Sequence, residues 1–204
     1  MTSVFLDSLG TTRIYPITDT SLSGLSHAEQ VAALAKRGMT LIQLREKNLS
    51  SSEFYREAAA AVLVAQHHGI KIIINDRLDI ALALRADGVH LGQDDLPVEA
   101  ARRLLGSDAI IGLSTHNVAQ ALEAAKQPID YLAIGPIFST FTKESSNPPV
   151  TLAGLAVVRE AVSRIPLVAI GGLNAANRAE TFAAGADAIA VIRDLWTVNA
   201  EKSP

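Results

Sequence analysis

Several short stretches of the chain carry the residue types that bind phosphate and divalent metal ions. In Gln43-Leu44-Arg45-Glu46-Lys47 the alternation of an extended chain puts Gln43, Arg45 and Lys47 on one face, so two cations point the same way. A guanidinium fork beside an ammonium suits a phosphate or diphosphate, and Lys143, from a different part of the chain, completes such a clamp. Asn75-Asp76 closes one apolar run and Asp95 follows the next, which brings two carboxylates toward one point. Hard oxygen ligands without Cys or His suit Mg²⁺. Ile170-Gly171-Gly172-Leu173-Asn174 offers exposed backbone N–H groups between a strand and a helix start, and Ile192-Arg193 ends the last apolar run beside it. Plainer roles exist for the same residues: Asp after a strand caps the following helix, Gly-Gly forms an ordinary turn, and Asp94 and Asp79 compete with Asp95 and Asp76.

The remaining polar groups fall in similar places. Ser114 and His116 follow another apolar run, and the His116 imidazole has the chemistry of an acid or base. Thr140-Phe141-Thr142-Lys143 opens a polar stretch reaching Pro149, long enough for a mobile cover. His90 is expected to point inward and pack or hydrogen-bond there, while His27, His67 and His68 read as helix-surface residues.

The elements that must position these groups are short β-rich runs: 13–18, 40–44, 71–74, 88–91, 110–113, 131–134, 167–170 and 188–192. Helical periodicity fills the intervals, as in Val31, Leu34, Ala35 and in Phe54, Ala58, Ala61, Ala65. Ser26 with Glu29, Ser50 with Glu53 and Asn117 with Gln120 mark helix starts, and Gly38 and Gly69 mark helix ends. Eight β-then-α units predict a single (β/α)₈ TIM barrel of parallel strands, in which the residues after each strand gather at one end. A doubly wound open sheet is the alternative, although it normally uses fewer strands at this length. Pro16 predicts a bulge in the first strand, and the short tail predicts a shortened last helix. Residues 1–12 read as a lead-in and 194–204 as a tail to one domain spanning 1–204.

Composition narrows the partners. The chain has 204 residues, 49% of them hydrophobic but only 4% aromatic, as expected where buried parallel strands pack on helices. A formal net charge of -3 offers no basic stripe for nucleic acid or an anionic membrane. Without Cys there is no disulfide and no thiolate chemistry, and without a leader or a long apolar run the expected location is the cytoplasm. Association through outer helices into a homodimer stays open.

Taken in order, Gln43 to Lys47, Asn75-Asp76-Arg77, Asp87 to Asp95 (DGVHLGQDD), Gly112 to His116 (GLSTH), Gly135 to Lys143 (GPIFSTFTK) and Ile170-Gly171-Gly172 resemble the thiamine phosphate synthase family. The resemblance implies a transferase that couples 4-amino-5-hydroxymethyl-2-methylpyrimidine diphosphate to thiazole phosphate or its carboxylate, releasing diphosphate. It implies that Gln43, Leu44, Arg45, Glu46, Lys47 and Asn75 line the pyrimidine diphosphate site and that Asp76 and Asp95 hold Mg²⁺. Ser114 would face the pyrimidine, Thr140, Phe141 and Thr142 the thiazole region, Lys143 the diphosphate, and Gly172, Ile192 and Arg193 the thiazole phosphate. Arg45, Lys47, Ser114 and Lys143 carry the expected catalytic roles. The family commonly has Ser where this chain has Arg193, which leaves the role of that side chain open. Two rival readings remain: a thiazole tautomerase using His116 as acid or base, and a catalytically silent protein that binds a phosphate ligand.

Overall fold

The computed structural model describes residues 3–139, 148–162 and 164–197. Eight parallel strands close into a barrel in chain order: β1 (Ile14–Thr18), β2 (Leu41–Leu44), β3 (Lys71–Asn75), β4 (Gly88–Leu91), β5 (Ile110–Thr115), β6 (Tyr131–Ile134), β7 (Leu167–Ile170) and β8 (Ala188–Val191). The helices described are α1 (Val4–Ser8), α2 (Thr20–Ser23), α3 (His27–Lys36), α4 (Ser51–His68), α5 (Leu78–Leu84), α6 (Val98–Leu105), α7 (Val118–Ala124), α8 (Thr151–Val162), α9 (Arg178–Ala183) and α10 (Asp194–Thr197). The expected β/α alternation is therefore realised as a closed barrel, without the free edges of an open sheet.

Local chemistry accounts for the helix boundaries. Ser26 with Glu29 and Ser50 with Glu53 form reciprocal capping boxes at α3 and α4. At α7 the cap is one-sided: Asn117 accepts from the Gln120 N–H, while the Gln120 side-chain oxygen Oε1 turns back to accept from the His116 N–H at 2.8 Å. Gly69 ends α4 in the left-handed conformation, with φ of 66°.

Alternation along the strands sorts side chains into two apolar layers. Ile42, Leu44, Ile72, Ile74, Val89 and Leu91 face outward and pack under the helices, whereas Ile17, Leu41, Ile73, Ile110, Ala133 and Val168 fill the barrel. Asp87, Asp130 and Asp187 brace the N-terminal end of the barrel, each accepting the N–H of a residue on the preceding strand, from Ile72, Ile111 and Leu167 at 2.7–2.8 Å.

One expectation is corrected. β1 runs unbroken through Pro16, which pairs one-to-one with Val191 of β8 in place of a bulge. Pairing with β2 begins only at Ile17, so the missing N–H falls where one ladder hands over to the other. Within the lead-in, α1 drives Phe5 into the barrel, where it is fully buried, stacked on Tyr131 at a centroid distance of 3.9 Å and edge-on to Tyr15 at 5.4 Å. An aromatic plug thus closes one end of the barrel. After β8 the described chain continues into α10, a helix of 4 residues.

Candidate active site

The other end is open. A cavity of about 380 Å³ lies where the strands deliver their C-terminal residues, floored by Ile17, Ala133, Val168 and Ala190 and rimmed by polar groups. An apolar floor beneath a polar rim suits a flat heterocycle carrying charged substituents.

β2 shows how alternation builds the rim. Gln43 points into the cavity and Leu44 points the opposite way, fully buried under the helices, so the Leu44 side chain is directed away from the site. Arg45 lines the cavity, and its guanidinium is held by Asp19 at 2.6 Å. Asp19 is itself anchored as the N-cap of α2, accepting from the N–H groups of Ser21 and Leu22. Glu46 turns outward: its carboxylate accepts from Thr20 Oγ1 at 2.7 Å and from the N–H groups of Lys47 and Asn48 at 2.8 Å, which shapes the loop and leaves the cavity. Lys47 reaches across to the Asp76 carboxylate.

The ends of β3 and β4 supply the acidic corner. Asn75 is buried and lines the cavity. Asp76 sits in the left-handed region at φ of 60°, its N–H bound to the His90 carbonyl at 2.8 Å, which aims its carboxylate at the neighbouring loop. There Asp95 accepts from the Gly92 N–H at 2.6 Å. Burial holds the Asp95 carboxyl above its ordinary pKa, the Gly92 N–H opposes this, and the charge of Asp76 adds to it. Of the rivals, Asp94 is exposed and Asp79 is paired with Arg77 at 2.5 Å, so Asp76 and Asp95 are the two that meet. Among the described residues no larger group of His, Cys, Asp or Glu converges. The pair offers only hard oxygens, and its mutual repulsion is what a divalent cation relieves, so the donor set fits Mg²⁺.

The opposite wall is built from backbone. Gly171 and Gly172 have φ of 99° and 69°, and a Cβ on Gly172 would lie 2.7 Å from Phe138 Cβ, so glycine is required there. The Asn177 amide donates to the Gly172 carbonyl and accepts from the Asn174 N–H, each at 2.9 Å, and this fixes the turn. Ile192 and Arg193 continue the same wall, with Arg193 exposed. Thr140, Phe141, Thr142 and Lys143 lie outside the described residues, as does most of the segment read as a cover.

Three histidines resolve differently. His116 lines the cavity and donates from Nδ1 to the Gly135 carbonyl at 2.7 Å. His90 points inward as expected, with Nδ1 at 2.8 Å from the Tyr131 hydroxyl and Nε2 at 2.8 Å from Ser114 Oγ. His27 corrects the surface reading: it is fully buried, with Nδ1 at 2.7 Å from Thr18 Oγ1. Asp19 follows the first strand directly, which in sequence places it at this end of the barrel, but its hold on Arg45 appears only in the folded chain. Tyr15 and Tyr131 escape sequence reasoning, because nothing local distinguishes them from packed aromatics.

A family profile described as Thiamine monophosphate synthase matches residues 14–195, a span that includes every residue lining the cavity. The chain belongs to the thiamine monophosphate synthase family. Among members of that family, it is 48% identical to a thiamine-phosphate synthase of Chloroflexus aurantiacus over 88% of this chain and 83% of the relative. Identity to a thiamine-phosphate synthase of Clostridium novyi is also 48%, over 88% of each chain. The solved thiamine phosphate pyrophosphorylase from Pyrococcus furiosus superposes with a TM-score of 0.80 at 37% identity, covering 92% of this chain and 87% of that one.

Proposed function

We propose that the chain is a thiamine phosphate synthase, joining the methylene carbon of a hydroxymethylpyrimidine diphosphate to the ring nitrogen of a thiazole phosphate and releasing diphosphate. The observation that carries this reading is the placement of two unlike polar walls across one apolar floor. On one side Arg45, Lys47, Asp76 and Asp95 gather, and on the other the Gly171-Gly172 turn exposes backbone to the cavity. Family membership supports the same reaction.

The chemistry asks little of the protein as a nucleophile. The electron-rich aminopyrimidine stabilises positive charge on its methylene carbon as the C–O bond to diphosphate breaks, and the neutral thiazole nitrogen then donates the pair that forms the new bond. Charge develops chiefly on the departing diphosphate, so fixed cations placed beside it lower the barrier. Asp19 holds Arg45 in that position at 2.6 Å, and Lys47 stands at the acidic corner. Asp76 and Asp95 would hold Mg²⁺, which when bound supplies further positive charge to the diphosphate oxygens. The apolar floor excludes water from the methylene carbon, limiting its capture before the thiazole arrives. Ser114 and Gln43 line the cavity between these walls, where they would face the pyrimidine edge. Gly172, with Ile192 and Arg193, receives the thiazole phosphate.

Incubation of the protein with both substrates and Mg²⁺ tests this. Thiamine phosphate and diphosphate should appear in equal amounts. Interconversion of thiazole tautomers without coupling would replace the proposal with proton transfer at His116, and ligand binding without turnover would replace it with a phosphate-binding role.

A further inference from the structure

The barrel interior holds a polar chain whose middle members, Tyr15, Tyr131 and His90, have no part in the coupling reaction as described. Gln43 Nε2 donates to the Tyr15 hydroxyl at 3.1 Å, Tyr15 and Tyr131 hydroxyls meet at 2.9 Å, Tyr131 meets His90 Nδ1 at 2.8 Å, and His90 Nε2 meets Ser114 Oγ at 2.8 Å. Both tyrosines are fully buried, and burial drives each phenol well above its ordinary pKa, so each hydroxyl keeps one proton to give. Their placement has required room: a Cβ on Gly112 would lie 2.1 Å from the Tyr131 ring, so glycine on β5 is what lets that ring cross the barrel toward His90.

Counting protons gives the chain a direction. Tyr15 accepts from the Gln43 amide and therefore donates to Tyr131, and Tyr131 donates to His90 Nδ1. His90 is then neutral, with its proton on Nε2 and directed at Ser114 Oγ. An imidazolium, or the opposite tautomer, would leave a phenolic proton without an acceptor along the chain. With its oxygen already accepting from His90, the Ser114 hydroxyl has its own proton free to donate into the cavity, while Gln43, donating to Tyr15, presents its carbonyl oxygen.

We infer that Tyr15, Tyr131 and His90 are positioning residues that fix Ser114 as a donor and Gln43 as an acceptor, so that the cavity selects a heterocycle presenting a ring-nitrogen lone pair beside an exocyclic N–H. This inference rests on the reading that Ser114 faces the pyrimidine, and it adds what sets the polarity of that contact. None of the three residues need touch the substrate. A chain of polarised hydrogen bonds strengthens its terminal donor, which gives buried tyrosines an effect at the cavity.

Two measurements test it. In a long-range ¹H–¹⁵N correlation spectrum of the protein labelled at histidine, the resonance lost in His90→Gln identifies His90, and it should show the neutral Nε2-protonated pattern. An Nδ1-protonated or charged ring overturns the inference. In kinetics, Tyr131→Phe keeps the ring and removes the donor; it should raise KM for the pyrimidine diphosphate about three- to tenfold, leave KM for the thiazole phosphate unchanged, and shift the His90 tautomer. His90→Gln, whose amide nitrogen replaces Nε2, should retain more activity than His90→Asn. Ser114→Ala separates the two levels of the argument: if it is impaired and Tyr131→Phe is not, the chain is overturned and the pyrimidine reading stands. If Ser114→Ala leaves pyrimidine KM unchanged, both fall.

Discussion

At the scale of single residues, the site is a set of charges held by other charges. Arg45 is oriented by Asp19, and Lys47 by Asp76, so neither cation relies on substrate for its position. Asp76 and Asp95 repel each other across the acidic corner, so loss of either charge relieves that repulsion while removing a proposed metal ligand. Asp76→Asn and Asp95→Asn should each lower the coupling rate by at least about a hundredfold with little change in thermal midpoint, measured on the same preparations. A fully active variant would remove that residue from the proposed metal site. On the opposite wall, Arg193→Ser should raise KM for the thiazole phosphate several-fold and leave the pyrimidine KM in place. An unchanged value would assign the phosphate to backbone N–H groups alone, since the guanidinium is exposed.

At the scale of elements, strand alternation decides which members of a motif reach the cavity. Gln43 and Leu44 are neighbours in sequence and face opposite layers, and Glu46 turns out to bind Thr20 on α2. The same packing explains His27, the first residue of α3, which is buried against β1 with Nδ1 on Thr18 Oγ1. Burial lowers its pKa, and the carboxylates of Glu46, Glu57 and Asp19 oppose that shift without cancelling it. A histidine whose folded pKa is depressed binds its proton more readily in the unfolded chain. Its contribution to stability is therefore complete above the ordinary imidazole range and is lost as pH falls through and below it. His27→Gln should flatten the pH dependence of unfolding free energy between about pH 5 and 7, as followed by urea titration at several pH values. An identical slope in the variant would assign that dependence to other groups.

At the scale of the whole molecule, the barrel is closed at one end and functional at the other. Phe5 fills the closed end, with rings of Tyr15 and Tyr131 around it, and residues from all eight strands and several of the loops after them line the open end. Phe5→Ala would leave a cavity in a barrel whose strands are fixed by ladders on both sides and collapse poorly. It should cost about 3 kcal/mol of stability, seen as a lower denaturant midpoint with an unchanged m-value. A loss below about 1 kcal/mol would mean that α1 is an appendage and that the barrel closes without it.

The strands were legible in the chain to within one or two residues at each end, because buried parallel strands read as short β-branched runs and their helices carry caps and stop signals within a few residues. That Asp76, Asp95, Gln43 and Gly172 stand at one end of the barrel was legible for the related reason that a barrel gathers whatever ends or follows a strand there. Only the folded chain set Asp95 beside Asp76 with Asp94 exposed, turned Leu44 and Glu46 away from the cavity, and buried His27. Only the folded chain, too, joined Gln43, Tyr15, Tyr131, His90 and Ser114 into one line of hydrogen bonds and set Phe5 beneath it. Periodicity and capping are local, operating over a few residues of backbone. The direction of a carboxylate or a phenol depends on side chains brought together by closure of the barrel, and no local pattern encodes those neighbours.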